Sequence, residues 1–161
     1  MAGPESPTGE RVVNPRYLLD TNILSEPVKP NPSTVVIEQL RRHQHESVTA
    51  APVWFELVHG VEQLPVSHRR DRLAQYLREL DNSDLQILAY DRAAARWHAL
   101  EHARLRATGQ TRPFVDGQIA AIAAVRGLVL VSRNVGDFQI FAGLTVENWF
   151  INEQSTPPET P

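Results

Sequence analysis

Between Tyr17 and Trp149 the chain alternates very short apolar runs with longer stretches in which apolar residues return every three or four positions. Tyr17-Leu18-Leu19 breaks off at Asp20-Thr21-Asn22, which predicts a buried strand followed by a turn or helix cap. Val36, Ile37 and Leu40 give a helical stripe within Ser33 to Gln44, and Ser47-Val48-Thr49 reads as a second strand. Pro52 fits the first turn of a helix reaching about Leu64. A further helix is predicted over Ser67 to Leu80, with Leu73, Tyr76, Leu77 and Leu80 on one side. Leu85 to Tyr90 reads as a strand, and Asp91 caps a helix from Arg92 to about Ala107 that stops at Thr108-Gly109. Pro113 introduces a helix over Phe114 to Arg126, which Gly127 ends. Leu128 to Val131 is apolar throughout, the pattern of a strand covered on both faces. A last strand is expected within Leu144 to Trp149. Short strands separated by helices imply right-handed crossovers, so the fold class is α/β, a single domain over residues 17–150 with a mostly parallel central sheet flanked by helices. Residues 1–16 and 151–161, rich in Pro, Ser, Thr and Glu, are expected to be disordered tails, since they have little to bury against their ordering entropy.

Composition narrows the chemistry. With 161 residues, 42% of them hydrophobic, the chain is the size of one domain that needs no covalent or metal staple. The absence of cysteine excludes disulfides, thiolate zinc sites and cysteine nucleophiles. No apolar run approaches the ~20 residues of a membrane span, and no signal peptide opens the chain, so a cytoplasmic location without membrane contact is expected. Lys29 is the lone lysine among sixteen cations and sits in a proline-rich stretch, a poor setting for a catalytic amine. No glycine-rich phosphate loop occurs. His98 and His102 are four apart on a helix, but Trp97, Leu100 and Leu105 around them point to packing rather than to zinc. Glu56 and His59 form a Glu-x-x-His that occurs only once, whereas di-iron bundles need two. Trp54, Trp97 and Trp149 read as core or interface aromatics.

The acids are more informative. In a parallel sheet, sites form beyond the carboxyl ends of the strands. Asp20 ends the first strand, and Ser132, Asn134 and Asp137 follow the Leu128 to Val131 strand. Glu56 stands in Val53-Trp54-Phe55-Glu56-Leu57-Val58, where a carboxylate is costly unless it is paired, protonated or bound to a cation. Asp116 lies in the first turn of a helix whose Ala120, Ala123 and Ala124 permit close approach to the sheet, and the helix dipole favours an anion there. Four carboxylates meeting at one point would need raised pKa values or hard cations. Oxygen ligands without sulfur favour Mg²⁺ or Mn²⁺, a combination suited to phosphodiester hydrolysis.

Four blocks carry a specific resemblance: Leu18-Leu19-Asp20-Thr21-Asn22; Phe55-Glu56-Leu57-Val58-His59-Gly60; Val115-Asp116-Gly117-Gln118-Ile119-Ala120; and Val131-Ser132-Arg133-Asn134-Val135-Gly136-Asp137-Phe138. In this order and spacing they resemble a PIN domain, and most of all the VapC-like ribonuclease toxins of bacterial toxin–antitoxin modules. The resemblance implies that Asp20, Glu56, Asp116 and Asp137 are the catalytic, metal-holding acids, with Thr21, Ser132 and Asn134 supporting them. It also implies Mg²⁺- or Mn²⁺-dependent cleavage of an RNA substrate, a homodimer and a cognate antitoxin protein. Ser132 stands where Thr is frequent in the family, and Gly117 where a helix-favouring residue is common. Two other readings share part of the pattern. One is a non-catalytic PIN-like protein-binding module; the other is an aspartyl phospho-acceptor domain, which the lack of any lysine after position 29 disfavours. The net charge of −3 becomes +1 once the four acids are set aside, so it does not argue against RNA.

Overall fold

The computed structural model describes residues 14–151. The expected tails therefore lie outside the described residues, except for Asn14, Pro15, Arg16 and Ile151, all of which are exposed.

Strand β1 (Tyr17–Leu19) is wholly buried. It passes directly into a one-turn helix α1 (Thr21–Leu24), for which Asp20 is the N-cap, and then a 3-10 turn at Glu26–Val28. Helix α2 (Thr34–Arg42) begins where the Ser33 hydroxyl accepts the Val36 N–H. Strand β2 (Ser47–Ala50) runs without a loop into α3 (Ala51–Glu62), with Pro52 in the first turn. Helix α4 (His68–Asp81), capped by Ser67, leads to the short strand β3 (Ile87–Leu88). Helix α5 (Arg92–Ala107) is capped by Asp91, whose Oδ1 accepts the Ala94 N–H at 3.0 Å. Next come α6 (Phe114–Val125), β4 (Val129–Val131), a one-turn α7 (Val135–Phe138) and β5 (Thr145–Glu147).

The five strands are all parallel, in the order β3-β2-β1-β4-β5. β1 is central: Leu18 lies beside Val48 of β2 and Leu130 of β4. Leu18, Val48 and Leu130 are fully buried, as expected for strands covered by helices on both faces. Chain order moves outward from β1 to β2 and β3 on one side, then returns to β4 and β5 on the other. The two directions diverge between β1 and β4, which is where such a sheet opens a crevice at its carboxyl edge.

Helix α6 sets the depth of that crevice. Ile119, Ala120, Ala121, Ile122 and Ala123 are buried, and the run of small alanines lets the helix axis lie close to the sheet. Burying the two isoleucines contributes roughly 1.5–3 kcal/mol each.

Three expectations change. The strand predicted over Leu85 to Tyr90 shrinks to Ile87–Leu88, because β3 is an edge strand with β2 as its one partner. The helix predicted to reach Gln44 stops at Arg42 and gives way to a 3-10 turn at Gln44–Glu46. The stripe expected on α4 is no deep core face: Leu77 and Leu80 are only partly buried, and Tyr76 is tied down by its hydroxyl, which donates to the Leu24 carbonyl at 2.6 Å. Among the described residues no helix is long and apolar enough to cross a membrane.

Candidate active site

Asp20 lies at the crevice because its backbone continues the β1–β4 ladder, its N–H donating to the Val131 carbonyl at 2.9 Å. The side chain is then turned back by two donors. The Thr21 N–H donates to Oδ1 at 2.8 Å, and the Ser132 hydroxyl, from the end of β4, donates to Oδ2 at 2.7 Å. Ser132 is itself fully buried and accepts the Asn134 N–H at 3.1 Å. Asp20 is only 6% exposed.

Glu56 comes from the second turn of α3, directly after β2. The Thr21 hydroxyl donates to its Oε2 at 2.6 Å, so one residue serves two acids, Asp20 through its backbone and Glu56 through its side chain. The carboxyl ends of β1 and β2 are tied together by a hydrogen bond from the buried Thr49 hydroxyl to the Leu19 carbonyl at 2.9 Å.

Asp116 is half-buried in the first turn of α6, which runs back along the sheet and so starts at the carboxyl edge. Asp137, in α7, is the most open of the four, with 52% of its side chain exposed. Arg112 stands between these last two. Its Nη2 lies 3.3 Å from Asp116 Oδ2 and 2.9 Å from Asp137 Oδ1.

The four acids form one electrostatic neighbourhood. Burial pushes the Asp20 carboxyl above the usual range; Glu56 and Asp116 add to the rise, against the hydrogen bonds from Ser132 and Thr21. Burial also raises Asp116, with Asp137 and Glu56 adding to it, even though Arg112 pulls the other way. These couplings link Asp20 to Glu56 and Asp116, and Asp116 to Glu56 and Asp137, so acids from four elements face one crevice. Among the described residues, no three acid or histidine side chains already stand close enough to enclose an ion. The donor chemistry nevertheless fits Mg²⁺ or Mn²⁺: all-oxygen, without sulfur, and anionic enough that a divalent charge would relieve the strain on Asp20.

The supporting residues divide. Thr21 and Ser132 hydrogen-bond acids directly, whereas Asn134 is exposed, makes no side-chain cap to α7 and reaches the site only through its backbone N–H. Asn22 was missed. Its Oδ1 accepts the Arg133 N–H at 3.0 Å and its Nδ2 approaches Ser132 Oγ at 3.5 Å, tying α1 to the turn after β4. Arg112 was missed as well, because an arginine before a proline carries no periodic signal. Lys29 is occupied elsewhere, with its amine 2.7 Å from Glu26.

Gly117 has a local explanation. A Cβ there would fall 2.0 Å from Nε2 of His98, which is buried between α5 and α6 and shares a 2.8 Å hydrogen bond with the Tyr90 hydroxyl. Burial holds the His98 pKa down, with His102 adding to the effect; with Nδ1 bonded to Tyr90 and Nε2 packed against Gly117, neither ring nitrogen is left open to a zinc ion.

Acids gathered at the switch point of a short parallel sheet, braced by hydroxyls from the neighbouring strand end, are the architecture of a PIN domain. The chain belongs to that family, whose model, PIN domain, matches residues 17–143. Within it the chain is VapC-like. It is 32% identical over 134 residues to the plasmid stability protein StbB of Pseudomonas syringae pv. tomato, covering 81% of this chain and 96% of that one. It is 29% identical to the tRNA(fMet)-specific endonuclease VapC of Shigella flexneri, with 83% and 98% covered. Among solved structures, FitAB bound to an IR36 DNA fragment superposes with a TM-score of 0.77 at 26% identity, over 87% of this chain and 99% of that chain. DNA-bound VapBC from Salmonella typhimurium gives 0.73 at 28% identity, over 84% and 98%.

Proposed function

We infer that the protein is the ribonuclease toxin of a toxin–antitoxin module, a hydrolase of RNA phosphodiester bonds whose partner is an antitoxin protein. The observation that carries this reading is the placement of Asp20, Glu56, Asp116 and Asp137 around one crevice, with Asp20 and Asp116 both raised by burial and further by acidic neighbours. It is supported by relatives named as endonuclease or ribonuclease over nearly their full length, and by structural neighbours that are toxin–antitoxin complexes.

The four acids would hold Mg²⁺ or Mn²⁺. When bound, the ion supplies positive charge that makes a water more acidic and offsets charge building on the phosphate. The chain's own contribution is orientation. Thr21 fixes Glu56 and Asp20 relative to each other, and Ser132 locks the Asp20 carboxylate by a buried hydrogen bond. The open side of the crevice, where Asp137 is exposed, is where the phosphate backbone of RNA would enter. The homodimer that the resemblance implies would cover the apolar outer face of α3, where Phe55 is 61% exposed and stacks on His59.

Asp20→Asn tests the reading. The variant is expected to lose RNA cleavage by at least about a thousandfold, roughly 4 kcal/mol of transition-state stabilisation, and to melt at the wild-type temperature or above it. A folded Asp20→Asn that still cleaves RNA at the wild-type rate would remove Asp20 from the mechanism, and a folded wild type that cleaves no RNA in the presence of Mn²⁺ would favour a non-catalytic binding module.

A further inference from the structure

Arg112 is placed as a cation would be. A single nitrogen, Nη2, contacts carboxylates from two elements: Asp116, four residues on in α6, and Asp137, in α7 on the far side of β4. Among the described residues these two acids are the only polar partners of the guanidinium, and its Nε is buried with no hydrogen-bond partner at all. The stem is largely enclosed, with 24% of the side chain exposed, and lines a cavity of about 10 Å³ with His98, His102 and Gln110. A head group held by nothing except two acids, with a buried donor left unused, is anchored by charge alone. It is free to leave when another cation takes the acids.

We propose that Arg112 is a built-in counter-cation that competes with the divalent ion for Asp116 and Asp137. This rests on the metal reading of the acid site above. In the ion-free protein the guanidinium offsets one of the four negative charges in a crevice of mutually repelling carboxylates, which eases folding before an ion arrives. The same contact sets a threshold for ion binding, because the ion must displace Arg112 and then tolerate a positive charge a few ångströms away. At that separation and in a half-exposed site, Coulomb repulsion weakens binding at least about tenfold. A residue that merely positioned the acids for the ion would act in the opposite direction.

The experiment is calorimetric titration of Mn²⁺ into ion-free wild-type protein, Arg112→Gln and Arg112→Lys, together with the rise in melting temperature that saturating Mn²⁺ produces. Arg112→Gln is expected to bind Mn²⁺ at least about tenfold tighter than wild type, to melt lower without the ion and to gain more when it is added. Lysine keeps the charge, but its stem is one atom too short to hold it against both acids, so Arg112→Lys should fall between the two. If Arg112→Gln does not fold, Arg112→Lys alone reads the sign: tighter binding than wild type supports the proposal, and equal or weaker binding overturns it. Unchanged or weaker binding by a folded Arg112→Gln overturns it too, with the metal site left standing. If neither wild type nor Arg112→Gln takes up Mn²⁺, the metal reading itself is overturned, and this proposal with it.

Discussion

Asp20 is where the site's cost is concentrated. It is 6% exposed, it faces Glu56 and Asp116, and its carboxyl is raised chiefly by burial. A folded-state pKa above the unfolded value means that the native protein binds more protons than the unfolded chain between about pH 4 and the raised value. Stability from this group is therefore complete at low pH and is lost as pH rises through that window. Asparagine cannot ionise, so in EDTA the stability of wild type relative to Asp20→Asn should fall as pH rises above about 4, as read by melting temperature. A wild type that instead gains on the variant as pH rises would mean that the Asp20 carboxylate is stabilised rather than stressed. At this scale much of the site was legible: an acid ending an apolar strand and another inside an apolar helix both violate ordinary patterning, which marks functional positions. Arg112 and Asn22 break no such rule. Their significance comes from residues 25 and 111 positions away, which no local pattern encodes.

The elements that bring these residues together were largely readable because their caps are explicit. Ser33, Ser67 and Asp91 start α2, α4 and α5, each accepting an N–H of the first turn. Helices α1 and α7 were not readable, since four residues are too few to show a period. The pairing of α5 with α6 was equally hidden, although Gly117 was visible as a departure from the family pattern. Its cause is His98, nineteen positions earlier, whose ring fills the space of the missing side chain. Gly117→Ala should therefore destabilise the domain by about 1–3 kcal/mol through overpacking. It should also loosen the hold on Asp116 next to it. Adding His98→Ala removes the obstruction, so the double variant should be more stable than the sum of the two single losses in a mutant cycle. Strict additivity would mean that the two residues do not meet across this contact.

For the whole molecule, the strand order β3-β2-β1-β4-β5 decides that residues 20, 56, 116 and 137 can share a crevice. Asp20 and Ser132 end adjacent strands, Glu56 follows β2 without a loop, and Asp116 starts the helix that returns to β4. No one of these placements needs the others in sequence; the parallel sheet supplies the coincidence. Everything at this scale turns on whether the four acids act as one divalent-ion site. The most direct measurement is Mn²⁺ binding to ion-free wild type and Asp116→Asn, followed by calorimetry with both proteins shown to be folded. Wild type should bind Mn²⁺ with a defined stoichiometry, and loss of one charged ligand should weaken binding at least about tenfold. Equal affinity in the two proteins would contradict the claim, whatever the family to which the chain belongs.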